Sequence, residues 1–154
     1  MDYEHTQPGT LIRFLLGGFT VFFGGYLLFV WSRGDQSIWI LTPILILGLL
    51  LPLFHSLTVT VDTNLIEVAF GIGIIRKRFF MEDVASVEAT KSHWYNGWGI
   101  RLIHKGWLYN VSGYDVVQLN LRNGRVVQIG TNDPNGLLSA IETQLQRTSQ
   151  PVSH

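Results

Sequence analysis

The chain has 154 residues and zero formal net charge, eleven basic side chains balancing eleven acidic ones, without the basic excess that a nucleic-acid-binding surface needs. It has no cysteine, which excludes disulfides, thiol catalysis and cysteine-ligated zinc or iron–sulfur sites. Only 14% of residues are charged against 47% hydrophobic, too few charges for a chain lying wholly in water.

Residues 1–10 read as a polar N-terminal tail. From Leu11 to Trp31, "LIRFLLGGFTVFFGGYLLFVW", the only charge is Arg13. At helical rise this stretch spans about 31 Å, the thickness of a bilayer's hydrocarbon core. Residues 32–37 form a short loop, and "IWILTPILILGLLLPLF", Ile38 to Phe54, is a second apolar run. The pattern predicts a two-pass transmembrane helical hairpin, spans 11–31 and 38–54, kinked at Pro43 and Pro52 and with Trp31 and Trp39 at one interface. A cleaved signal peptide fits less well, because Asp2 and Glu4 stand where basic residues belong and the apolar run is too long. Gly17, Gly18, Gly24 and Gly25 share one broad face of the first span, a packing face for the second helix or for another membrane subunit. Arg13 on one side and Arg33 on the other leave the positive-inside count even.

From His55 onward the pattern changes to period-two alternation. "SLTVTVD" and "LIEVAF" each set apolar residues on one face, separated by Asp62-Thr63-Asn64, residue types that favour tight turns. "IIRKRFF", "VASVEAT", "WGIRLI", "GWLYNV", "YDVVQLNLR" and "RVVQIG" follow, the last two joined by Asn123-Gly124, a strong hairpin signal. "DPNGLLSAIETQLQ" reads as a helix with Asp133 as N-cap, Pro134 at its first position and an apolar stripe of Leu137, Leu138, Ile141 and Leu145. The predicted soluble part, 56–147, is thus a mainly-β barrel of about seven strands capped by a C-terminal helix, and 148–154 a flexible tail.

At "WYNGWGIR" and "GWLYNVSGYDVVQLNLRNGRVVQIGTNDPNGLLSAI" the sequence resembles the bacterial pleckstrin-homology (PH)-like domain family. The resemblance covers roughly residues 56–147, with G-W-G-I-R and G-T-x-D-P as its most specific pieces. It implies a PH-type barrel, a bacterial source, a domain on the cytoplasmic side of the inner membrane, and binding in place of catalysis; the ligand must still be argued from the site.

Phosphoinositide-binding PH domains carry basic residues in the first hairpin loop, where this chain has Asp62-Thr63-Asn64. Arg76 and Arg78 share a strand face and form the one candidate lipid-headgroup patch. The residues from His55 onward carry nine basic and eight acidic side chains, too balanced for strong attraction to an anionic membrane.

His93, His104 and Glu88 lack helical ligand spacing, and Ser112 lacks both a nucleophile elbow and a neighbouring base. "GIG" at 71–73 lacks the third glycine and the helix of a dinucleotide fingerprint. No catalytic residue, metal or cofactor is expected. Strand parity puts Trp98, Ile100, Leu102 and Trp107 in the core, leaving Trp94 and Tyr95, with Arg101, as the candidate docking residues. The expectation is a non-enzymatic accessory subunit or assembly factor of a larger bacterial membrane complex, respiratory or photosynthetic complexes being candidate hosts. A self-oligomerising membrane-tethered scaffold, with the barrels forming rings, is the alternative, and a lipid-headgroup-sensing module through Arg76 and Arg78 ranks behind it.

Overall fold

The computed structural model describes residues 3–34, 41–93 and 97–149. In chain order the elements are β1 (Tyr3–Pro8), α1 (Thr10–Ser32), α2 (Thr42–Phe54), β2 (Ser56–Val61), β3 (Leu65–Phe70) and β4 (Ile75–Phe80). A 3₁₀ turn, Met81–Asp83, leads to β5 (Val84–Lys91), β6 (Gly99–Ile103), β7 (Gly106–Asn110), β8 (Asp115–Leu121), β9 (Val126–Gly130) and α3 (Pro134–Ser149). In place of a single barrel of about seven strands there are two sheets, β1-β2-β3-β4 and β5-β8-β9-β7-β6. The first is an antiparallel meander; the second contains one parallel pair, β7 with β9.

The predicted transmembrane hairpin is overturned. Among the described residues one helix, Ile12–Ser32, is long and apolar enough to cross a membrane, a test that a signal sequence near an N-terminus also passes. α2 has thirteen residues and rises about 20 Å, well short of a hydrocarbon core of about 30 Å. Pro43 stands in its first turn, where a fixed φ and a missing N–H favour a helix start. Ile38–Ile40 of that run, with Trp39, lie outside the described residues.

Residues 3–8, expected as tail, form a full strand. β1 pairs with β2 along its whole length, from Tyr3 opposite Val61 to Pro8 opposite Ser56. The helices are therefore an insert between two neighbouring strands. Gly9 N–H donates to the His55 carbonyl across 2.8 Å, and Arg13 Nε donates to the same oxygen across 3.1 Å, so the insert leaves the sheet and returns to it at one point.

The core lies between the sheets and under α3. Leu57, Val59 and Val61 of β2 and Ile66, Val68 and Phe70 of β3 are buried, as alternation requires when one face of an antiparallel sheet is covered. They meet Val117 and Leu119 of β8, Val127 and Ile129 of β9, and Leu137 and Ile141 of α3. Burying each of these aliphatic side chains contributes roughly 1.5–3 kcal/mol. Asp133 Oδ1 accepts the N–H of Gly136 across 3.0 Å, capping α3 at its start.

Odd-numbered residues of β1 tie the two sheets together. Tyr3 Oη donates to Asp133 Oδ2 (3.2 Å), His5 Nε2 meets Asn132 Oδ1 (2.6 Å), and Gln7 Nε2 donates to the Ser112 carbonyl (2.7 Å). Burial together with the Asp133 carboxylate pushes the Tyr3 phenol up to about 12.

Candidate functional site

The helical insert is the chain's largest apolar surface. No residue of the apolar window in α1 is buried within the protein. Half-buried positions at three- and four-residue spacing, Ile12, Leu16, Phe23 and Leu27 in α1 and Ile44, Leu47, Leu50 and Phe54 in α2, mark the faces the two helices turn inward. The opposite face of α1 carries Phe14 at 77%, Val21 at 77% and Leu28 at 70% exposure, seven residues apart, and is not covered by any of the described residues. Thr20 Oγ1 donates to the Leu16 carbonyl, which satisfies its hydroxyl within the helix.

A Cβ built at Gly17, Gly18, Gly24 or Gly25 would meet nothing within 4 Å. None of the four therefore serves a close approach to α2, and the face they share is left unoccupied among the described residues.

Where the insert joins the β domain there is an open cleft of about 630 Å³. Ile12 and Leu16 of α1 and Leu50 and Phe54 of α2 form one wall; Trp98, Gly99, Ile100 and Arg101 form the other. Gly99 at φ +99° breaks the strand alternation here, so parity carried back from β6 misplaces Trp98. The indole lies 6.3 Å from the Tyr114 ring, outside the main core cluster, and its buried Nε1 has no partner among the described residues. Arg101 is exposed, and its Nε donates to the Trp98 carbonyl across 3.3 Å. No carboxylate pairs with it among the described residues. The cleft is thus apolar with one cation at its rim, and among the described residues its lining holds no carboxylate, imidazole or hydroxyl.

Leu102 and Trp107, expected in the core, are 73% and 44% exposed. They stand directly opposite each other across β6 and β7, on the face that holds Ile100 and Tyr109. Tyr109 is buried, and burial pushes its phenol up. The alternation is right about the face, but the β6–β7 hairpin runs beyond the rim of the core and leaves this apolar pair uncovered. Trp94 and Tyr95, the expected docking pair, lie outside the described residues.

Arg76 and Arg78 share a face, as expected, but both turn to Glu67. Arg78 Nε is 2.6 Å from its Oε2 and Arg76 Nη1 3.6 Å from its Oε1. One carboxylate between two guanidiniums leaves a single net charge, a weak basis for headgroup attraction. Glu88 accepts a bond from Gln118, and no cluster of three His, Asp or Glu that could hold a metal occurs among the described residues.

Neither a protein-family model nor a curated protein matches this sequence. The PH-like resemblance accordingly stands as a reading of the residues quoted for it.

Proposed function

We propose that this chain is a membrane-anchored, non-catalytic docking protein, with α1 seated in the lipid bilayer and the β domain at its surface. The observation that carries the proposal is α1 itself, a predominantly apolar span of 21 residues, Ile12–Ser32, with none of its apolar window buried inside the described structure. Left in water, that surface forgoes the transfer of more than a dozen apolar side chains, worth roughly 1.5–3 kcal/mol each when fully buried, whereas lipid accepts them. A retained anchor is favoured over a cleaved signal because β1 precedes α1 and is hydrogen-bonded into the sheet. Cleavage after α1 would strip that strand and the bonds from Tyr3, His5 and Gln7.

The protein acts by binding, as accessory subunit or assembly factor of a larger bacterial membrane complex, the β domain lying on the cytoplasmic side of the inner membrane. Its docking surface is the exposed Leu102–Trp107 pair, an aromatic and aliphatic centre on one face of the β6–β7 hairpin. The unoccupied glycine face of α1 offers a lateral contact within the bilayer.

The test is solubilisation of native membranes in mild detergent, followed by mass measurement of the purified assembly. A stoichiometric integral-membrane partner supports the reading. A free monomer, or an oligomer of this chain alone, refutes it; the oligomer would favour the self-assembling scaffold.

A further inference from the structure

The two turns that join the strands of the first sheet differ sharply in polarity. At one end, β2 and β3 are linked by Asp62-Thr63-Asn64, with Asp62 Oδ1 accepting the Thr63 N–H. At the other end, β3 and β4 are linked by Gly71-Ile72-Gly73-Ile74, in which Ile72 is 61% and Ile74 is 69% exposed. The strand registers put this apolar turn at the end of the sheet where the helical insert departs, since Phe70 lies opposite Leu57 and Ile75. Strands of six residues separate the two turns by roughly 20 Å.

The apolar turn is fixed to the root of the insert. Ile72 N–H donates to the Pro52 carbonyl of α2 across 3.2 Å, and Gly71 N–H to the Ser56 carbonyl across 2.8 Å. Gly71 has φ +53°, and a Cβ there would stand 2.0 Å from the Pro52 oxygen, so only glycine permits this approach. Arg76 Nε donates to the Gly73 carbonyl across 2.6 Å, bracing the other side of the turn. Two isoleucines are thus held outward by a rigid frame at the level where α1 begins, and nothing among the described residues covers them.

We propose that the Gly71–Ile74 turn is a second membrane contact, an apolar wedge that seats Ile72 and Ile74 in the interfacial region of the lipid bilayer. This rests on the reading of α1 as a membrane-seated helix, and it fixes which end of the β domain meets the lipid. The occupant is lipid because the turn is continuous with the insert through the Pro52 and Ser56 bonds. The attraction is apolar. Glu67 neutralises much of the charge on Arg76 and Arg78, so anionic headgroups are not required.

The chain has no cysteine, so Ile74→Cys, Phe22→Cys and Thr63→Cys each introduce a sole thiol for an environment-sensitive fluorophore. The full chain is reconstituted in phosphatidylcholine vesicles, and each label is quenched by aqueous iodide and by lipid-borne nitroxides. The expected result is a blue-shifted label at position 74 with several-fold weaker iodide quenching than at position 63, and quenching by a shallow nitroxide. Phe22 should respond only to a deep one. A position 74 label as open to iodide as position 63, with position 22 lipid-shielded, overturns the wedge and leaves the anchor standing. An aqueous label at position 22 overturns both. Shielding at position 74 that appears only in native membranes, or only with anionic lipid, also overturns the wedge, the first by placing a protein over the turn and the second by making the contact electrostatic.

Discussion

The phenol of Tyr3 donates to Asp133 Oδ2 across 3.2 Å, joining the first strand of the chain to the cap of its last helix. Between them lie both sheets and the whole helical insert. The same carboxylate caps α3 through the Gly136 N–H. One side chain thus closes the β domain at both of its chain ends.

The Tyr3 phenol titrates at about 12 in the folded protein against an ordinary value of 10.0. Below pH 10.0 it is protonated whether the chain is folded or not, and its contribution is whole. Between pH 10.0 and about 12 the unfolded chain sheds the proton while the folded chain keeps it, so stability falls as pH rises and levels off above that window. Tyr3→Phe should lower stability at neutral pH by about 0.5–1.5 kcal/mol, the net worth of one hydrogen bond. It should also flatten the alkaline fall. Some slope remains from Tyr109, whose phenol is raised by burial. Denaturant midpoints of both proteins across this window check the sign; an unchanged slope would refute the assignment.

Gly106 marks the tightest approach in the second sheet. A Cβ there would stand 1.6 Å from the Val126 carbonyl, where β7 and β9 run parallel. Gly106→Ala should force the two strands apart, break the Val126 N–H bond to Lys105 and destabilise the domain by about 3 kcal/mol. Thermal unfolding of the detergent-solubilised protein reads this directly. A shift no larger than that of Gly124→Ala would argue against the close approach, because Gly124 has only open space around it and a positive φ to strain.

These two residues also show where the sequence was legible and where it was not. The alternation in β2 and β3 assigned the buried face correctly, because both strands cross the middle of the core. β1 was invisible: "YEHTQP" is short and mostly polar, and its partner strand lies some fifty residues on, so no local pattern reveals the pairing. Gly106 reads as a turn glycine in "HKGW", whereas its role is to let β9 approach. In β5 the register shifts between Val84 and Ser86, and the bulge takes Ala85 out of the alternation, with Val84 buried and Ala85 exposed. The exposure of Leu102 and Trp107 is not legible in the sequence because parity identifies a face but not how far the core extends beneath it. The glycine pairs of α1 were visible as a pattern, but their separation from α2 was not.

Membrane seating of α1 predicts a position-dependent penalty for charge. Phe22 lies at the centre of the Ile12–Ser32 helix and is 67% exposed, its ring edge-on to the neighbouring Phe23, so its replacement disturbs no core packing. Phe22→Arg should oppose insertion by about 2.5–3.5 kcal/mol on a biological insertion scale. The measurement is alkaline-carbonate extraction: the parent protein stays with the membrane pellet, and a growing share of the variant should appear in the supernatant or be lost to proteolysis. Thr63→Arg, at the far turn, should fractionate like the parent. Equal extraction of Phe22→Arg and the parent would show that α1 does not lie in the hydrocarbon core.

The exposed pair on the β6–β7 hairpin yields the sharpest separation of binding from folding. Leu102 is 73% and Trp107 44% exposed, so Leu102→Ser and Trp107→Ala leave no enclosed cavity and should shift the unfolding midpoint little. Central aromatic anchors of an interface typically lose about 2 kcal/mol or more of binding on truncation, roughly a thirtyfold drop in affinity. Trp107→Ala should therefore release the partner during detergent purification while the melting curve stays close to that of the parent. Leu102→Ser should weaken retention by a smaller factor, because it stands outside Trp107 on the edge strand. Lys105→Ala, in the adjoining turn, should change salt sensitivity more than retention, as rim charges do. If both Trp107→Ala and Leu102→Ser keep the partner at parental yield, the docking surface lies elsewhere, and the glycine face of α1 becomes the contact to test next. Loss of the partner together with a collapsed melting curve would instead mean that the hairpin supports the fold, and the pair would cease to count as a docking surface.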